Sequence, residues 1–269
     1  MPNRVVYTIE DGVAYVKMNR PDKMNALDPA MFEGLIAAGK ELGANKSLRA
    51  VVLSGEGRAF CAGLDFMSFQ ALADSSPDSP RIDLSTREPG SPGNFAQMAV
   101  YTWQMLPVPV IAAIHGVAFG GGLQVALGAD IRFVTPDARL SVMEIKWGLV
   151  PDMSGTQLLR HLVRLDRVKE LTFTGRIVSG TEAVEIGLAT HVSENPLDEA
   201  TKMAKEIASK SPDAIRAGKK LLNASRLSSV EEGLRLEADL QRAIIGQPNQ
   251  VEAIKANLEK RPPNFSEVK

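Results

Sequence analysis

Between Glu88 and Asp130 the chain carries no formal charge, and late in this run an apolar segment, Val110–Ile114, leads through His115-Gly116 into Phe119-Gly120-Gly121-Gly122 and then Leu123-Gln124-Val125-Ala126-Leu127. The first piece reads as a buried strand and the last as a helix. The glycines between them leave backbone N–H groups bare at the helix start, where the positive end of the helix dipole adds to their field. Such a junction suits an anion. A nucleotide-phosphate loop would close with a lysine and a hydroxyl residue, and a dinucleotide loop would space its glycines differently; neither pattern is present. The transient oxyanion of a carbonyl is the other candidate, and it needs two convergent N–H donors in a dry site. A second small-residue turn is available: Arg58-Ala59-Phe60-Cys61-Ala62-Gly63-Leu64-Asp65 follows the apolar strand Ala50-Val51-Val52-Leu53-Ser54. Two turns leaving the ends of neighbouring strands in one α/β core can meet.

The uncharged run is long enough to raise a membrane span, but Pro107, Pro109, His115, the glycines and Gln124 break it into a helix, a strand and a helix. No membrane association is expected. With 269 residues and 44% hydrophobic content the chain can build a sizeable core, as one large domain or a domain with an appendage. A net charge of −1 leaves no basic excess for a phosphate backbone, so nucleic acid is not expected as a partner. One cysteine excludes an intrachain disulfide framework, and the first residues lack a signal peptide's apolar stretch, which together suit the cytoplasm.

Val5 to Glu10 and Val13 to Met18 read as a hairpin around Asp11-Gly12, a pair that tolerates the positive φ of a tight turn. Asp28-Pro29 opens a helix with Met31, Leu35, Ile36 and Leu42 at helical spacing. Asp74 to Gly93, rich in serine, proline and charge, reads as a surface loop or lid. After Asp152 the pattern is almost wholly helical, with segments at Ser154 to Leu165, Val168 to Thr174 and Thr181 to Gly187 and four longer ones beyond. Ser228 with Glu231 forms an expected capping box, and Asn195-Pro196 and Ser211-Pro212 place a cap before a first-turn proline. The division expected is an α/β core over 1–195 and a helical layer over 196–269.

Asn19-Arg20-Pro21-Asp22-Lys23-Met24-Asn25-Ala26-Leu27, the Ala59-to-Asp65 turn, the Gly120-to-Gly122 run and Gly148-Leu149-Val150-Pro151 together resemble the crotonase, or enoyl-CoA hydratase/isomerase, family. The resemblance runs nearly end to end, with several motifs in order. It implies an α/β fold, a spiral of ββα units with a helical C-terminal oligomerisation region, and self-association into a trimer or a dimer of trimers. It also implies a coenzyme A thioester as substrate, with no permanently bound cofactor, whose carbonyl oxygen sits between two amides matching Leu64 and Gly121. Lys23, Met24, Ala26, Arg58 and Ala62 match positions along the coenzyme A, and Lys260 matches a lysine that approaches the nucleotide phosphates of a neighbouring subunit.

An enzyme that forms an enolate needs groups to remove a proton and return it elsewhere. Glu144, in Val142-Met143-Glu144-Ile145, and Asp152, in Val150-Pro151-Asp152-Met153, have apolar neighbours that would partly desolvate them and raise their pKa values. Taken alone, each reads as a cap or an ion-pair partner; within the resemblance, each reads as catalytic. Glu144 matches the second glutamate of the family's hydratases, whereas their first falls on Gln124, an amide that orients substrate or water but cannot shuttle protons. The Glu144 and Asp152 pair looks instead like that of the dienoyl-CoA isomerases, which carry a third acid at the Gln124 position. Asp152 also matches the nucleophile of the family's aryl-CoA dehalogenases, but their Trp and His surroundings are not reproduced. The expected activity is double-bond isomerisation of an acyl-CoA; the alternatives are a 2-enoyl-CoA hydratase and a catalytically weak coenzyme A-binding scaffold.

His115, His161 and His191 are scattered without ligand spacing, so no metal is expected. Cys61 reads as a wall residue, and Ser154 lacks the elbow of a hydrolase nucleophile.

Overall fold

The computed structural model describes residues 3–73 and 86–268. Asp11 and Gly12 both adopt positive φ, 50° and 78°, and fold β1 (Val5–Glu10) back on β2 (Val13–Met18) as an antiparallel hairpin. Asp28 then caps α1 (Pro29–Ala44), its carboxylate accepting from the Met31 amide at 2.9 Å while Pro29 fills a position that needs no donor. β3 (Ala50–Gly55) leads to a turn and α2 (Phe66–Ala73); α3 (Phe95–Met105) opens with a capping box of Asn94 and Gln97. The uncharged run continues through β4 (Val110–Ile114), β5 (Val117–Phe119) and α4 (Gly121–Leu127). β6 (Ile131–Val134), β7 (Arg139–Ser141) and a 3₁₀ turn at Glu144–Trp147 precede α5 (Gly155–Leu159) and α6 (Leu165–Thr174). β8 (Val178–Ser179), α7 (Gly180–Glu185) and β9 (His191–Val192) complete the mixed part. Four helices follow: α8 (Pro196–Ala208), α9 (Pro212–Ser225), α10 (Val230–Ile244) and α11 (Pro248–Glu259).

The strands form a six-stranded sheet in the order β1-β2-β3-β4-β6-β9 and a three-stranded sheet in the order β5-β7-β8. Successive pairs, β4 with β5 and β6 with β7, each leave one strand in either sheet before the chain enters a helix, and this repeat winds the spiral of the fold. Side-chain alternation sorts the larger sheet's two faces. Val16, Val51, Leu53, Ala112 and Ile114 join the main core with α1, α3 and α4, whereas Val13, Ala50, Val52, Ile111 and Ala113 meet Ala200 and Ala204 of α8.

Three local readings shift. The helix expected over Ser154 to Leu165 stops at Leu159, because the His161 and Leu162 amides tighten to i−3 bonds on Leu158 and Leu159 and Val163 turns into the core; α6 then starts at Leu165 rather than Val168. The capping box is Ser229 with Glu232, one residue on from Ser228 and Glu231, since the Ser228 amide still bonds the Ala224 carbonyl at the end of α9. Asn195 and Ser211 stand at helix starts without capping by side chain, and Ser211 Oγ is buried with no partner. Residues 74–85 of the expected surface loop lie outside the described residues; 86–93 contain no helix or strand.

Two buried polar side chains anchor loops and a helix to the large sheet. Asn25, fully buried at φ 55°, donates to the carbonyls of Glu56 and Ala59 at 2.9 and 2.8 Å and accepts from the Arg20 amide at 2.8 Å, fastening the 20–27 loop to the turn after β3. Lys219 of α9 reaches Asp130 Oδ2 at 2.7 Å and the Val108 carbonyl at 2.9 Å, and the same Asp130 oxygen takes the Val110 amide at the head of β4. Replacing Asn25 with alanine leaves three backbone groups without their partner and keeps a left-handed residue. Urea unfolding of Asn25→Ala is expected to show a loss of about 3 kcal/mol. A change under about 0.5 kcal/mol would remove Asn25 from this role.

Candidate active site

The turn after β3 and the glycine run after β4 are one hydrogen-bonded unit. The Phe60 and Cys61 amides donate to the His115 and Val117 carbonyls at 2.9 and 3.0 Å, and the Phe119 amide returns to the Cys61 carbonyl at 3.1 Å. Gly63, at φ 91°, is packed so closely that an added Cβ would lie 2.6 Å from the Phe119 carbonyl oxygen and 3.9 Å from the Gly121 nitrogen.

On the other edge of this turn Leu27 bonds the Gly63 carbonyl through its amide and the Asp65 amide through its carbonyl, at 2.8 and 3.0 Å. Alternation along the extended backbone then turns the Leu64 N–H away from Leu27. Among the described residues no protein acceptor takes the Leu64 or Gly121 N–H. The three-glycine mouth is less open than its sequence implies, because the Gly120 amide is spent on the Ser141 carbonyl at 2.9 Å. Asp65 ties the turn down: its carboxylate accepts from Arg20 Nη1 at 2.7 Å, and Arg20 also lies 3.6 Å from Asp28. Burial alone would raise the Asp65 carboxyl, but the Met67 amide and the Arg20 guanidinium outweigh it and hold its pKa below the ordinary carboxylate value.

Glu144 begins the 3₁₀ turn after β7 and is buried. A Cβ placed on Gly120 would be 3.5 Å from Glu144 Oε1, so this carboxylate stands over the glycine run. Oε1 accepts from Gln124 Nε2 at 2.6 Å, whereas Oε2 is buried with no protein partner. Burial pushes the Glu144 carboxyl up, and the charge of Asp152 adds to the rise. Asp152 follows buried Pro151 and faces a half-open cavity of about 1170 Å³, whose walls include Gln97 and Tyr101 of α3, Arg160 and His161 after α5, and Asn223 of α9. Partial loss of solvent raises its pKa too.

Gln124, the residue expected to orient substrate or water, is held by three bonds to protein. Its side-chain oxygen takes the Met153 and Gly155 amides at 2.9 and 2.8 Å and its nitrogen is on Glu144, so these contacts all go to protein. Met153 carries no signal in the sequence, yet its sulfur packs on Gly121, 2.7 Å from where a Cβ would stand.

Of the residues matched to coenzyme A, Lys23, Met24, Ala26, Arg58 and Ala62 fall on two loops that the structure joins, the Ala62 amide donating to the Met24 carbonyl at 2.9 Å. Lys23 is exposed and its charge bears on Asp65. Lys260, the left-handed cap of α11, has no hydrogen bond or ion pair to these loops among the described residues.

The remaining polar candidates have other surroundings. Cys61 is fully buried beside the Asn25 carbonyl, and burial pushes its thiol up to about 12. His115 lies 2.8 Å from the Gly57 carbonyl, His161 is bonded by Arg160, and His191 stacks on Phe133. Among the described residues no three His, Cys, Asp or Glu side chains are grouped to hold a metal.

Comparison with known proteins places this arrangement. The enoyl-CoA hydratase/isomerase family model matches residues 8–268. A peroxisomal Delta(3,5)-Delta(2,4)-dienoyl-CoA isomerase of Arabidopsis thaliana is 33% identical over 96% of this chain and 94% of its own length. The mitochondrial enzyme of that name from Mus musculus is 33% identical over 95% of this chain and 79% of its own. Among solved structures, an enoyl-CoA hydratase from Bacillus anthracis superposes with a TM-score of 0.87 at 31% identity, covering 97% of this chain and 98% of that one. The fold that carries the two laced turns and the buried glutamate is therefore that of an acyl-CoA enzyme, and the chain belongs to the enoyl-CoA hydratase/isomerase, or crotonase, family.

Proposed function

We propose that this chain moves double bonds along a coenzyme A thioester of the dienoyl type. The observation that carries the reading is a pair of carboxyls, Glu144 beside the glycine run and Asp152 on the cavity, each raised in pKa by loss of solvent, with the charge of Asp152 adding to the rise at Glu144. Raised pKa values at both groups favour a proton on one carboxyl while the other serves as base, which is the starting state such a shuttle requires.

The Leu64 and Gly121 amides hold the thioester oxygen. Glu144, nearest the glycine run, removes the α-proton, and the electron pair delocalises onto that oxygen as a dienolate. Asp152, on the cavity where the acyl chain extends, delivers its proton to the distal carbon. The double bonds shift, no atom is gained, and the two carboxyls exchange a proton to reset. Lys23, Met24, Ala26, Arg58 and Ala62 line the coenzyme A, with Lys260 supplied by a neighbouring subunit. Residues 1–195 form the catalytic part and 196–269 the part that assembles a trimer or a dimer of trimers, using exposed Leu234, Ile245, Ile254 and Leu258. A cytoplasmic setting fits the free thiol of Cys61. No helix among the described residues is long and apolar enough to cross a membrane.

Syn addition of water to a trans-2-enoyl-CoA is the second reading, supported by the hydratases among the similar structures. It would leave Glu144 to do the acid-base work alone.

Purified protein given a 3,5-dienoyl-CoA is expected to produce the conjugated 2,4-dienoyl-CoA, followed by its ultraviolet absorbance, far faster than it hydrates a 2-enoyl-CoA. Rapid hydration without isomerisation would overturn the proposal. Glu144→Gln and Asp152→Asn should each lower kcat by roughly a hundredfold or more. The base must be ionised, so kcat/KM falls as pH drops through the raised Glu144 pKa, and this acid limb should sit above the ordinary carboxylate range. Stability runs the opposite way. A carboxyl raised in the folded state contributes stability that is full below its unfolded pKa and is lost as pH rises through the folded one. Glu144→Gln should therefore match the parent at low pH and unfold at a higher temperature than the parent near neutrality; a lower Tm there would contradict the assignment.

A further inference from the structure

Gln124 is buried in the first turns of α4 and bonds partners from two other segments. Its orientation is forced by chemistry: backbone N–H groups of Met153 and Gly155 can be met only by the carbonyl end of the amide, which leaves the NH₂ end for Glu144 Oε1. Between those amides lies Ser154, a non-glycine residue at φ 69°, a conformation that costs of order 1 kcal/mol or more and persists where the surroundings impose it. The Gln124 oxygen spans this strained residue from both sides. Gly155 must be glycine for that approach, since a Cβ there would stand 2.6 Å from the Gln124 oxygen. The residue just before the clamped segment is Asp152.

We propose that Gln124 is a positioning residue that sets both proton-transfer groups at once: by bonding Oε1 of Glu144 it leaves Oε2 as the atom that takes the substrate proton, and by clamping the 153–155 turn it aims Asp152 into the cavity. The inference rests on the isomerase reading above for its chemistry, but not for its geometry. Oε2 has no protein partner, so it is the oxygen of this carboxylate not already committed to a donor. Of the elements around Glu144, α4 offers neutral Gln124, the glycine run offers Gly120, and Asp152 is the charge that bears on it among the described residues. A carboxylate at position 124 would add a second negative charge directly against Oε1 and could not donate to it when ionised.

The experiment uses the full chain with Gln124→Glu and Gln124→Met and two readouts. Amide hydrogen exchange with residue resolution is expected to show Met153 and Gly155 protected in the parent and exchanging at least tenfold faster in Gln124→Met. In Gln124→Glu, whose carboxylate can still accept from Met153 and Gly155 but sets a charge against Oε1, the acid limb of kcat/KM is expected to move to higher pH because Glu144 is harder to ionise, with KM changed less than threefold. In Gln124→Met, loss of the Nε2 donor should also move the acid limb to higher pH, whereas a merely structural role would lower stability without moving it. Unchanged protection of Met153 and Gly155 in Gln124→Met would overturn the clamp, as would a Gln124→Glu variant with the parent's pH profile, or one that gains water addition, since its side chain would then face substrate. If the parent isomerises nothing, the isomerase reading fails, while the exchange result still decides whether Gln124 holds the turn.

Discussion

The site depends on backbone pairing that leaves chosen amides over. Leu27 takes the Gly63 carbonyl and Asp65 amide, and Cys61 is laced between Val117 and Phe119. Each pairing satisfies alternate groups along an extended chain, so the Leu64 N–H falls on the unpaired side without any side chain having to direct it. Such donors are held by the rigidity of the sheet ends, so they would cost no reorganisation if charge developed beside them.

Close approach is the second requirement. Gly63 stands against the Phe119 carbonyl, Gly116 against Arg58 and Gly122 against Cys61, each nearer than a Cβ would permit. These contacts bring two turns from adjacent strands into one wall. Arg20, bonded to Asp65 and to the Ala26 carbonyl, and Asn25, bonded to the turn after β3, extend the wall to the loop that carries Lys23 and Met24. The acidic pair is added by the turn after β7 and the segment before α5.

Much of this is legible in the sequence where the signal is local. Asp11-Gly12, Asp28-Pro29 and the glycine run each announce a conformation that one or two residues dictate, and the structure has them in place. The readings that shift are also local, but ambiguous: Ser228-Ser229 before Val230-Glu231-Glu232 offers two capping registers, and only the end of α9 selects between them. The partners of Asn25, Arg20 and Gln124 are not legible there. Each is a polar residue whose bonds run to segments far along the chain, and a glutamine's sequence neighbours say nothing of which backbone amides its oxygen will find.

The bond from Lys219 to Asp130 and the Val108 carbonyl has a bearing on how the large cavity can change shape. It rivets one side of the large cavity to the head of the strand that runs into the glycine wall, so α9 cannot retreat without disturbing β4. Any widening of the cavity would fall to α10, α11 or the residues just before α3, which line it without that tie.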